Sequence, residues 1–122
     1  DLMSVGVDVE RTDSIEAALW PTICADAELE QVLAAPEPSR GPMVAALFSA
    51  KEAAFKCQFP VTRRFVGFRD AAIHIGDDGN YQVRDATHEG AAAEVFGRIR
   101  GIVTTDEQFV CAVSVIGGTG PR

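Results

Sequence analysis

The chain has 122 residues, 18 acidic and 11 basic side chains and a net charge of −7, with 47% hydrophobic and 24% charged residues. That length suits one globular domain, and the balance excludes a disordered body. It also argues against a nucleic-acid binder, which needs a basic face, and no stretch is apolar and long enough to cross a membrane.

Residues 2–10 alternate, with Val5, Val7 and Val9 on one side and Ser4, Gly6, Asp8 and Glu10 on the other. This pattern predicts a half-buried strand. The chain begins Asp1-Leu2, without an initiator Met, and enters this pattern almost at once, which hints at a fragment or processed piece of something longer; the start shows no charged-then-apolar signal peptide. Asp13 or Ser14 is placed to cap a short helix through Leu19, stopped before Pro21. Asp26 is placed to cap a second helix carrying Leu29, Val32 and Leu33. Pro36, Pro38, Gly41 and Pro42 predict a loop. A helix is expected next, from about Met43 to about Gln58, ending before Pro60, with Val44, Phe48, Phe55 and Phe59 in one core-facing arc.

Beyond that helix the pattern turns to strands. Phe65–Phe68 and Ala71–Ile75 are short apolar runs, and Asp77-Asp78-Gly79-Asn80 is a hairpin turn into Tyr81-Gln82-Val83-Arg84. Residues 86–94 are ambiguous. Arg98–Thr105 and Gln108–Ile116 form a last hairpin around Asp106-Glu107, and residues 118–122 are expected to be a frayed tail beyond one domain of residues 1–117. A strand, then helices, then antiparallel strands indicate an α+β fold, an antiparallel sheet packed on a long helix. Cys24, Cys57 and Cys111 are odd in number and lack metal-ligand spacing, so reduced thiols in a cytoplasmic protein are expected, at least two as small core residues. His74 and His88 are expected to be structural or surface residues.

Residues 48–56 read Phe-Ser-Ala-Lys-Glu-Ala-Ala-Phe-Lys and hold the only two lysines of the chain, Lys51 and Lys56; every other basic residue is arginine. A compact ammonium suits contact with phosphate. On a helix, Ser49, Glu52 and Lys56 lie along one face at i, i+3 and i+7. Taken alone, Glu52 and Lys56 read first as a surface i,i+4 pair. Lys51 falls inside the aromatic arc, where it must either snorkel outward or meet an anion. Asp8 and Glu10 stand two apart on a strand and project from one face, about 7 Å apart. Two such carboxylates suit one hard divalent cation such as Mg²⁺, and Glu52 could supply a third if its helix packs beside the strand. A solvated strand face is the competing reading. Asp within a strand is disfavoured, however, and Gly6 beside it permits close approach of backbone or ligand.

Val5-Gly6-Val7-Asp8-Val9-Glu10, then about 40 residues, then Phe48–Lys56 resembles the 4′-phosphopantetheinyl transferases, most closely the surfactin- and enterobactin-type branch. Residues 59–68 and Phe109-Val110-Cys111-Ala112-Val113 are similar to that branch too. The resemblance implies transfer of the phosphopantetheine arm of coenzyme A to a serine of an acyl, peptidyl or polyketide carrier protein, with release of 3′,5′-ADP. It implies Asp8, Glu10 and Glu52 as Mg²⁺ ligands, Lys51 and Lys56 as the motif lysines, Lys56 the better phosphate ligand, and Glu52 as the base for the serine proton. Proteins of that branch are pseudodimers of two similar halves with the site between them. The chain resembles the C-terminal half alone, so a complementary N-terminal half-domain or subunit is expected. Two alternatives stay open. One is the shorter holo-acyl-carrier-protein synthase branch, whose site lies between the subunits of a trimer but whose first motif usually spaces its carboxylates differently. The other is a non-catalytic module that binds metal or docks a carrier. Arg63, Arg64 and Arg69 form a basic cluster near the motif helix, expected to face the acidic carrier protein or a coenzyme A phosphate.

Overall fold

A computed structural model describes residues 2–85 and 92–117. The expectations for His88, for the tail and for most of residues 86–94 lie outside them. The strands are β1 (Leu2–Arg11), β2 (Ala71–Ile75), β3 (Asn80–Asp85), β4 (Ile99–Thr105) and β5 (Phe109–Gly117). The helices are α1 (Trp20–Ile23), α2 (Asp26–Ala34), α3 (Glu37–Thr62) and α4 (Ala92–Arg98). All five strands pair antiparallel in the order β1-β5-β4-β3-β2, and α3 lies across the sheet. This is the α+β class expected from the sequence. No helix among the described residues is long and apolar enough to cross a membrane.

Both predicted hairpins form. Gly79 takes φ +87° in the β2–β3 turn, a value that glycine alone adopts without strain. In the β4–β5 turn the Asp106 carboxylate accepts the Gln108 and Phe109 amides. Two other local expectations are corrected. α1 runs through Pro21, tolerated in a first turn where the amide has no partner to lose. Phe65–Gly67 forms no strand, and Phe68–Asp70 is a 3-10 turn in which Asp70 accepts the Gly67 amide.

The long helix begins six residues earlier than expected and ends four later. It takes in Pro38, Pro42 and Pro60 and stops at Arg63, which caps it in the left-handed region at φ 59°. Pro38 sits in the first turn, where no backbone bond is lost, and Pro42 and Pro60 each forfeit one bond near an end. The core-facing side of α3 also differs from the aromatic arc. Val44, Ala45, Leu47, Ala50, Ala53, Ala54 and Cys57 are buried, whereas Phe48, Phe55 and Phe59 are half-buried. These rings stack instead on the following loop: Phe48 and Phe55 on Phe68 at 5.3 and 5.6 Å, and Phe59 on Phe65 at 5.1 Å.

Small side chains on α3 let the helix come close to the sheet, and β1 answers with Gly6. A Cβ at Gly6 would lie 1.9 Å from the Ala53 carbonyl oxygen and 2.7 Å from the Cys57 amide. This contact decides which face of β1 is covered. Gly6 and Asp8 are buried under α3, while Val5, Val7 and Val9 are 47%, 49% and 57% exposed. The alternation was legible, but the polar side, not the valines, turns inward.

Candidate active site between the first strand and the long helix

The i, i+3, i+7 row of α3 meets the inward face of β1. Ser49 is fully buried, and its hydroxyl donates to the Asp8 carbonyl at 3.2 Å, fixing the helix against the strand at the residue that matters. Two helical turns further on, the Lys56 ammonium donates to Asp8 Oδ1 and to the Val7 carbonyl, both at 3.1 Å. Asp8 is 8% exposed and the Lys56 side chain 51%. The other carboxyl oxygen, Asp8 Oδ2, is the one buried side-chain polar atom without a hydrogen-bond partner among the described residues.

Glu10 and Glu52 complete the cluster, and their acidities report the crowding. Burial pushes the Glu10 carboxyl up to about 7; Asp8 and then Glu52 add to the rise, and the Lys56 charge opposes it. The neighbouring Asp8 carboxylate thus disfavours the ionised form of Glu10. Glu52 is also raised, first by burial and then by Asp8, again opposed by Lys56. Three carboxyl groups therefore share one spot with a single ammonium, a surplus of negative charge in a half-dry site.

The fit of this cluster to a divalent cation rests on its donor set. Among the described residues no three His, Cys, Asp or Glu side chains already stand in coordinating geometry. The donors present are nevertheless all hard carboxylate oxygens, the ligand class of Mg²⁺. One of them, Asp8 Oδ2, is buried with no partner, a costly state that a bound cation would relieve. Asp8, Glu10 and Glu52 are the residues that would hold it.

Lys51 is elsewhere, which corrects its expected contact with phosphate. Its ammonium is 0% exposed and uses all three protons, on Glu28 Oε1 at 2.6 Å and on the Ile23 and Phe68 carbonyls at 2.7 Å each. Burial lowers its pKa, and the Glu28 charge opposes the drop. The anion that it needed is thus internal. Sequence reasoning missed Glu28. Besides Lys51, its carboxylate accepts the Ala25 amide and the Ile73 amide on β2, at 2.8 Å each. The legible signal was a Glu three residues after Ala25, the acidic half of a capping box.

The expected arginine cluster divides. Arg69 is committed internally: its guanidinium donates to the Pro21 and Cys24 carbonyls at 2.7 and 2.8 Å and pairs with Asp26, fastening α1 to the start of α2. Arg63 stands over the Phe59 ring at 5.8 Å. Arg64 and Lys56 instead share a groove of about 420 Å³ with Phe55, Phe59, Pro60 and Phe65, and the Phe65 ring is 94% exposed. A wider groove of about 620 Å³, between α2 and the β2–β3 hairpin, contains none of the clustered carboxylates. His74, on that hairpin, is exposed, and of the cysteines Cys24 and Cys57 are buried and Cys111 is half-buried.

Comparison with known proteins bears on the fold and the family. No curated protein sequence matches the chain. In fold it is similar to a holo-[acyl-carrier-protein] synthase from Thermotoga maritima, at 21% identity and a TM-score of 0.73, covering 95% of this chain and 64% of that one. The chain thus spans about two thirds of the length of that protein. It is also similar to a holo-ACP synthase from Plasmodium yoelii, at 18% identity and a TM-score of 0.72, covering 98% of both chains. A third is the holo-(acyl-carrier-protein) synthase from Bacillus anthracis in complex with CoA (3′,5′-ADP), at 21% identity and a TM-score of 0.71, covering 94% of this chain and 96% of that one. The family model of the 4′-phosphopantetheinyl transferase superfamily matches residues 4–114, and the chain belongs to that superfamily.

Proposed function

We propose that the chain transfers the 4′-phosphopantetheine arm of coenzyme A to a serine of a carrier protein, with Mg²⁺ held by Asp8, Glu10 and Glu52. The observation that carries the reading is the carboxylate cluster between β1 and α3, with a buried unpartnered oxygen and one half-exposed ammonium beside it. When bound, Mg²⁺ would neutralise charge that develops on the leaving 3′,5′-ADP. Lys56, half-exposed on the rim, supplies a point charge to a phosphate oxygen. Glu52, whose carboxyl pKa is raised by burial and by Asp8, accepts the serine proton directly or through water. The groove of Phe55, Phe59 and Phe65 with Arg63 and Arg64 at its end is our site for the acidic carrier, apolar contact and local positive charge acting together.

A second unit completes the site in this reading. The face of the sheet opposite α3 is apolar across three strands in register: Val5 beside Val115, Val7 beside Val113, and Val113 beside Ile102. An open apolar face of this kind marks an association surface. Two branches supply different occupants, a second copy of the chain in the synthase branch or a complementary half-domain in the surfactin-type branch. The three solved structures described above are of the synthase branch, which favours the second copy. The Asp8-Val9-Glu10 spacing favours the half-domain.

Mass spectrometry of an apo carrier protein incubated with the chain, coenzyme A and Mg²⁺ tests the reading. Gain of one phosphopantetheine arm with the chain alone is the expected result. Gain only after a matching half-domain is added identifies the surfactin-type arrangement. No gain in either mixture, with Mg²⁺ binding retained, leaves the docking module and removes the enzyme. Glu52→Gln should abolish transfer with the fold intact, and normal turnover in that variant would sink the assignment of this site.

A further inference from the structure

The two lysines of the motif are held in opposite ways. Lys51 is sealed in the interior with all three protons bonded. Lys56 has two acceptors, the Val7 carbonyl and Asp8 Oδ1, each at 3.1 Å, and half of its side chain is in solvent. An exposed ammonium on a flexible four-carbon stem leaves such a contact at little cost. Its partner has the opposite character: Asp8 is buried, fixed through its own carbonyl by Ser49, and has its second oxygen unsatisfied. The fixed carboxylate is therefore the constant element, and the cation beside it is the exchangeable one.

We propose that Lys56 is the resident counter-cation of Asp8 in the metal-free chain, and that it leaves Asp8 when a divalent cation binds there. This rests on the metal reading above. An ammonium and a divalent ion on the same carboxylate repel strongly in a half-dry site, and only the ammonium has a route into solvent. Freed from Asp8, Lys56 remains tethered to α3 one turn beyond Glu52, beside the groove that it shares with Arg64. Metal entry thus releases the charge that contacts phosphate, and the two events become ordered: cation first, Lys56 available second. Lys56 is then more than a static ligand; its pairing with Asp8 offsets part of the negative charge of the site until the metal arrives.

The lysine ammonium ¹⁵N signals test this directly, since the chain has two lysines and Lys51 serves as an internal reference. In the protein without coenzyme A, added Mg²⁺ should move the Lys56 signal toward that of a free lysine and leave Lys51 unmoved. Asp8→Asn should give the free-lysine signal at Lys56 from the outset, with no response to Mg²⁺. In calorimetry, Lys56→Met should bind Mg²⁺ roughly two- to fivefold more tightly, the factor carried by an exposed ion pair. A Lys56 signal unmoved while calorimetry registers saturable Mg²⁺ binding overturns the exchange and spares the metal site. Unchanged or weaker binding by Lys56→Met does the same. Absence of saturable binding in both the unmodified chain and Lys56→Met overturns the metal reading and this inference with it.

Discussion

Lys51 and Lys56 are five positions apart on one helix, yet one is locked in the interior and the other stands at the site. The separation follows from helix geometry, since five positions turn a side chain well away from its predecessor. Lys51 pairs with Glu28 beneath α1 and α2, so Lys51→Met leaves a buried carboxylate without its cation. That should cost about 3–5 kcal/mol in urea unfolding, and adding Glu28→Gln should recover a large part of the loss. Glu10 gives the opposite kind of test. Its pKa is raised in the fold to about 7, so its stabilising contribution is complete below pH 4.5 and lost as the pH climbs through 7. Glu52 shifts in the same direction, and the lowered carboxyls of Asp13, Asp78 and Asp106 titrate below this window. The Tm of the metal-free protein should therefore fall between pH 5 and pH 8. Glu10→Gln should flatten that slope, and a slope unchanged in the variant would show that the proton resides elsewhere.

At the scale of elements, α3 and β1 make the site by approaching more closely than ordinary side chains allow. Gly6 faces Ala53 and Cys57, and any Cβ there strikes backbone, which cannot swing aside. Gly6→Ala should cost about 1–3 kcal/mol or more in thermal or chemical unfolding. It should also lower Mg²⁺ affinity, because the displaced strand carries Asp8 away from Glu52. A mild substitution elsewhere on the helix, such as Ala46→Ser on its half-buried side, should leave both quantities nearly unchanged. The motif row Ser49, Glu52 and Lys56 was legible from spacing, and so were both β hairpins from their turn residues. The ends of α3 were not, because proline signals a stop only when tertiary packing does not compensate the single lost bond. The inward side of β1 was not legible for a related reason. Hydropathy places valines inside, whereas here close helix packing on glycine and small residues takes the polar side.

For the whole molecule the unanswered surface is the valine face of the sheet. Val7 lies at its centre, paired with Val113 and next in line to Ile102. Val7 is 49% exposed on this face, so Val7→Glu should leave the fold intact while reducing the mass found by light scattering to that of one chain. Transfer activity should fall with it if the second unit completes the site. Full activity in a monomeric Val7→Glu protein would show that one chain suffices.

The sequence by itself determined the class of fold, the helix row that carries Glu52 and Lys56, and the pairing of Asp8 with Glu10 on one strand face. These follow from periodicity and turn chemistry, which act between near neighbours. Only the tertiary structure decided that Lys51 is structural, that Glu28 is its partner, that Arg69 is spent on α1 and α2, and that the valines face outward. Each depends on which groups meet across long separations, and burial, not local spacing, fixes whether a charge finds an internal partner or is left for a ligand.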